Sequence, residues 1–119
     1  MRRALPIFRR GDIVRVPFPF VETNQRRQRL GLVISNGVID GPFDLVWFAM
    51  ITGAGHDRWP DDIDIGPAHA DFGLPIPCII RPAKIAAITT DQASLVGHLD
   101  QSITAQVMAK IVQILKQDD

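Results

Sequence analysis

No apolar run in this sequence goes far before a glycine or proline stops it, and only past residue 100 does the apolar spacing become helical. That ordering restricts the fold to many short strands followed by a single helix. Asp12-Ile13-Val14-Arg15-Val16 alternates polar and β-branched residues as a half-buried strand does, with Gly11 as its turn of entry. Pro17-Phe18-Pro19-Phe20 ends regular pairing, because proline has no N–H to give to a ladder. Residues 21–29 are polar and basic and read as an exposed loop or ribbon. Leu30 to Ser35 is nearly continuous in apolar residues, which predicts a central strand buried on both faces. Asn36-Gly37 and Asp40-Gly41-Pro42 are turn signals.

A second buried strand is expected from Leu45 to Thr52, broken by Gly53-Ala54-Gly55. The acidic stretch from His56 to Asp64 reads as loop, with Ile63 and Ile65 alternating into a short strand. Ile76 to Arg81 and Lys84 to Ile88 read as the last two strands, separated by Pro82. Beyond them Ile103, Val107, Ile111, Ile114 and Leu115 lie at helical spacing, flanked by Met108 and Val112. Ser102 is the expected N-cap, and Lys116 carries a charge suited to a helix C-terminus. The expectation is one mainly β domain over residues 1–119, a small and strongly bent β-barrel of SH3-like type with a C-terminal helix.

Formal net charge is zero, but the charge is unevenly placed. Residues 1–30 carry eight arginines against Asp12 and Glu22, a net +6, and the rest carry five basic residues against eleven aspartates, a net −6. A basic segment of this kind suits phosphate contact, since arginine offers planar paired donors, and it equally suits a solvated surface. No apolar run approaches the roughly 20 residues of a membrane span, and the basic N-terminus lacks the apolar stretch of a secretory signal. Cys78 is the single cysteine, so no internal disulfide forms, which fits a reducing, cytoplasmic setting.

Potential chemistry is sparse. His56 and Asp57 with Asp61 and Asp62 match no metal-ligand spacing and read as a solvated loop. His69 and His98 are expected to make local hydrogen bonds. Trp47 sits inside an apolar run and reads as core, whereas Trp59 beside Pro60 stays open as a base-stacking candidate. No serine–histidine–aspartate order and no nucleotide-binding glycine fingerprint is present.

Six pieces in order carry a resemblance. Arg10-Gly11-Asp12-Ile13-Val14-Arg15-Val16-Pro17-Phe18-Pro19-Phe20 resembles the opening strand and proline-rich turn of the MazF/PemK-like toxins. Gln28-Arg29-Leu30-Gly31-Leu32-Val33-Ile34-Ser35 is similar to that family's Arg-Pro-Ala-Leu-Val-Ile-Ser strand, and Ile51-Thr52-Gly53 to its Ile-Thr-Ser strand end. Gly73 to Arg81, Lys84 to Ile88 and Val96-Gly97-His98-Leu99 resemble the segments that close the sheet and lead into the helix. The family's proline and alanine after the arginine are Leu30 and Gly31 here, a serine is Cys78, and Ala83 stands where some members carry an aspartate thought to act as a base.

The resemblance implies an endoribonuclease toxin that cuts single-stranded RNA, mRNA included, by attack of the substrate's own 2′-hydroxyl, with no metal or other cofactor. It implies Arg29 and Thr52 as catalytic residues, with Gly53 contacting the RNA through its backbone. Arg26 and Arg27 of the basic loop are read as RNA contacts, and Arg81 and Lys84 read equally as RNA contacts or as ordinary exposed residues of a strand pair. The resemblance further implies a homodimer neutralised by a cognate antitoxin, with DNA reached only through the antitoxin complex and no membrane partner. Arg29 can give two donors to the phosphate, Thr52 a hydroxyl, and Gly53 a closely approaching backbone N–H. The alternative reading is a non-catalytic module of the same fold that binds a partner peptide or nucleic acid through the same groove.

Overall fold

The computed structural model describes residues 8–17, 28–41 and 43–116. Six strands run antiparallel: β1 Asp12–Pro17, β2 Gln28–Val33, β3 Leu45–Gly53, β4 Ile63–Asp64, β5 Cys78–Thr89 and β6 Ser94–His98. They form one sheet in the order β4-β5-β3-β2-β1-β6, and helix α1 spans Gln101–Leu115. Short 3₁₀ turns cover Pro67–Phe72 and Thr90–Gln92. The mainly β expectation with a terminal helix matches this order. The sheet, however, is open: β4 and β6 are its edges, and no ladder joins them among the described residues.

β2 does lie at the centre, between β1 and β3, and Leu32, Val33 and Ile34 are all buried. Burial on both faces follows from two apolar clusters. One joins Ile13, Leu32, Ile51 and Ile80 to Val107 and Ile111 of α1. The other joins Val14, Val16, Val33, Val46, Phe48 and Ile88, with Phe8 and Ala93 at its margin. β1, expected to be half-buried, is instead buried on both faces: Ile13 enters the first core, Val14 and Val16 enter the second, and Arg15 and Pro17 are exposed. Gly31 is needed because a Cβ there would overlap the ring of the fully buried Phe48.

β5 is one strand of twelve residues, not the two expected on either side of Pro82. Ala49 faces Ile85 while its neighbour Met50 faces Arg81, so Pro82, Ala83 and Lys84 have no partner in β3. A bulge is where a missing N–H costs nothing, which lets the strand bend without ending. β6 was not expected as a strand. Its few apolar residues give a weak pattern, and it is made by pairing with the open edge of β1.

Two further expectations are corrected. The N-cap of α1 is Asp100, whose carboxylate accepts from the Ser102 N–H at 2.7 Å; Ser102 itself lies in the first turn. Trp47 is 49% exposed, because the helix-side core reaches Ala49 and Ile51 but stops short of it. His69 does bond locally, its Nδ1 lying 2.8 Å from the Leu74 carbonyl. His98 instead bonds Asp12 at 2.8 Å, across the β1–β6 ladder. Asp12 is buried and uses its second oxygen on the Arg9 N–H, so it ties the chain before β1 to the last strand.

Candidate active-site cleft

Antiparallel pairing carries Arg29 to Thr52. Leu30 pairs with Ile51, so the preceding residue of β2 and the following residue of β3 sit side by side at one end of the sheet. On the far side of β3, Thr52 pairs with Ile79 and Gly53 with Cys78. The ends of β2, β3 and β5 thus converge, and a cleft of about 200 Å³ opens between them. Arg29, Thr52 and Gly53 all line it, as do Leu30, Ile76 and Cys78. A methyl group on Gly53 would stand 3.4 Å from Ile76 Cδ1 and 3.7 Å from His56 Cδ2, so glycine keeps the floor of the cleft open.

The cleft combines the Arg29 guanidinium, the Thr52 hydroxyl, the His56 imidazole, the Gln28 amide and an accessible backbone with apolar walls. Such a set of groups is chemically able to hold an anion by paired N–H donors. Cys78 brings little reactivity to it. The residue is 3% exposed, burial pushes its thiol up, and the S–H donates to the Ile76 carbonyl at 3.2 Å.

Lys84 and Arg81 do not line this cleft. Lys84 is exposed on the β5 bulge. The Arg81 guanidinium is engaged inside the protein: Nε donates to both oxygens of Asp62 at 3.1 and 3.3 Å, and Nη2 donates to Asp62 at 3.0 Å and to the Asp57 carbonyl at 2.6 Å. Trp59 packs over it with 4.2 Å to the ring centroid, so this aromatic is committed to a cation–π contact. Asp62 also accepts from the Trp59 N–H at 2.8 Å. Arg26 and Arg27 lie outside the described residues.

Sequence reasoning missed His56. Its N–H donates to the Gly53 carbonyl at 3.2 Å, and this tight turn folds the imidazole back into the lining of the cleft. Nothing in the spacing marks it out, since the glycine-containing turn that brings it there reads equally well as the start of a solvated loop.

This open sheet with its terminal helix is the fold of several solved structures. The endoribonuclease from a Mycobacterial species has a TM-score of 0.70 at 14% identity, with 95% of each chain covered. The same kind of enzyme in complex with its cognate antitoxin, also Mycobacterial, has a TM-score of 0.67 at 14% identity, over 90% of this chain and 93% of that one. MazE–MazF from Deinococcus radiodurans (Form-II) has a TM-score of 0.66 at 16% identity, over 98% of this chain and 100% of that one. No curated protein matches the sequence. Residues 9–116 match the family described as PemK-like, MazF-like toxin of type II toxin-antitoxin system, and the chain belongs to that family.

Proposed function

We propose that this protein is an endoribonuclease toxin that cuts single-stranded RNA at the Arg29–Thr52 cleft. The observation that carries the reading is the convergence of Arg29, Thr52 and Gly53, from two separate strands, on one cleft of about 200 Å³. The solved endoribonucleases of the same fold support the substrate class, and those bound to an antitoxin support neutralisation by a partner protein. Residues 1–119 act as one domain in this reading.

The substrate's 2′-hydroxyl attacks the adjacent phosphorus, and negative charge accumulates on the non-bridging oxygens. Arg29 meets that charge with two N–H donors, and Thr52 adds its hydroxyl. Preorganised donors of this kind are worth roughly 10²–10³-fold each. In this reading the step runs without a metal, because the nucleophile is the substrate's own 2′-hydroxyl and Arg29 meets the charge on phosphorus. Arg81 enters as the anchor of the loop after β3, and Lys84 on the exposed bulge as a further contact to the RNA backbone.

The protein acts as a homodimer in this reading. Trp47 and Ile85, close together on the β3–β5 ladder, are 49% and 41% exposed, and Leu115 at the end of α1 is 76% exposed. Apolar surface of this size on a small chain is the kind that a second copy covers.

Purified protein incubated with single-stranded RNA and a chelator tests the function. Fragments ending in a cyclic phosphate and beginning with a 5′-hydroxyl are expected. Cleavage that stops in chelator and returns with magnesium would overturn the mechanism, and RNA left intact in every condition would leave only a binding module.

A further inference from the structure

The reaction proposed above needs a group to take the proton from the 2′-hydroxyl, and neither Arg29 nor Thr52 is suited to that task. We infer that His56 is this general base, a catalytic residue placed in the cleft by the turn that follows β3. The inference rests on the ribonuclease reading and deepens it.

The titratable side chains lining the cleft are Arg29, His56 and Cys78. A guanidinium does not give up its proton at ordinary pH. Cys78 is buried, its thiol is pushed up by that burial, and its proton is spent on the Ile76 carbonyl. Imidazole is the side chain that takes and returns a proton most readily near neutrality.

The His56 ring lies over Gly53, with Cδ2 3.7 Å from the position of a Cβ on that residue, so it shares the cleft with Arg29 and Thr52. The residue is exposed, and neither ring nitrogen has a hydrogen-bond partner among the described residues. The nitrogens are therefore open to substrate. The backbone beneath is nonetheless held: the Asp57 carbonyl accepts from Arg81, and Asp62 and Trp59 complete the anchor. A base on a pinned turn keeps the geometry that proton transfer demands. The charged and titratable groups around it are Arg29 from β2, Cys78 from β5, and Asp57 and Arg58 on its own loop. Arg58 is occupied by Asp64.

An imidazole nitrogen takes the 2′-hydroxyl proton while the 2′-oxygen forms its bond to phosphorus. The bond from phosphorus to the 5′-oxygen breaks, and that oxygen takes a proton from water. The imidazolium then returns its proton to the hydroxide left behind. The products are the cyclic phosphate and the 5′-hydroxyl, with the enzyme unchanged.

Single-turnover cleavage of an RNA oligomer in chelator, followed over pH for the parent, His56→Gln and Arg29→Ala, tests this. For a lost general base, His56→Gln should cut on the order of 10²-fold more slowly. It should bind an uncleavable 2′-deoxy oligomer as tightly as the parent. The parent's rate should depend on pH, and that dependence should vanish in the variant. Imidazole added to His56→Gly should restore part of the rate, which settles the matter if the glutamine variant proves less stable; no rescue would overturn the assignment. A His56→Gln protein with the parent's rate and pH profile, beside an inactive Arg29→Ala, would sink the role of His56 and leave the ribonuclease reading standing. A parent that never cuts RNA sinks both.

Discussion

Arg29 is the residue on which most of the proposed chemistry rests, and its position explains why. It lies at the start of β2, half-buried at the cleft, where a guanidinium keeps its charge but loses some of its competing water. Replacing it with alanine should lower the cleavage rate on the order of 10²-fold or more while fold and assembly persist. Arg29→Lys should recover little, because an ammonium keeps the charge without the planar fork that spans two oxygens. Rates of the two variants on the same oligomer, beside their circular dichroism, decide this; parental activity in Arg29→Ala would remove the residue from the mechanism. The arginine was legible in sequence only through the resemblance. By composition it is one of eight arginines among the first 30 residues.

The element that governs the cleft from outside is the loop between β3 and β4. Its anchor is the Arg81–Asp62 pair, whose side chains are 12% and 1% exposed. Removing one partner of a buried pair strands the other charge, so Arg81→Ala should cost about 3 kcal/mol. It should also slow cleavage by loosening the turn beneath the site. Thermal melts and cleavage rates together check this, and an unchanged melt would show that the loop holds without its anchor.

The pH dependence of this anchor has a definite sign. Burial alone would raise the Asp62 carboxyl, but hydrogen bonds from Arg81 and the Trp59 N–H, with the charges of Arg81 and Arg58, outweigh it and hold the group below the usual carboxylate range. Its stabilising contribution is therefore complete above the ordinary carboxylate range and is lost as pH falls through the lowered folded value. Trp59 reports the change directly, since it packs over Arg81. In a Trp47→Phe background its fluorescence should stay constant on acidification until well below the point where a free carboxylate titrates. A transition centred at the ordinary value would contradict the pairing.

At the scale of the whole molecule the open question is what covers its exposed apolar residues. The sheet is covered by α1 on one face only, and Val112, Ile114 and Leu115 on the last turn of that helix remain exposed. Sedimentation at micromolar concentration should give twice the mass of the 13.2 kDa chain. Trp47→Asp or Leu115→Asp should shift the equilibrium toward monomer, since an ion in an apolar contact is expensive to bury. A parent that sediments as a monomer throughout would remove the dimer from the proposed function.

The sequence alone determined which segments are strands and which is the helix, wherever the signal is a local period. The alternation in Asp12–Val16, the apolar runs in β2 and β3, and the helical spacing from Ile103 to Ile111 each state their own secondary structure. Tertiary structure decided the rest, because it depends on what lies across the chain. β6 exists because β1 offers an open edge; Pro82 sits inside a continuous strand because β3 has no partner for it; and Trp47 is exposed because the helix-side core ends before reaching it. The site divides in the same way. Antiparallel register, a property of two strands, sets Arg29 beside Thr52, while folding the turn after Gly53 onto the sheet end brings in His56 and commits Arg81 to Asp62. A local pattern records how a segment pairs with itself in space, and says nothing of which distant residue its last side chain will meet.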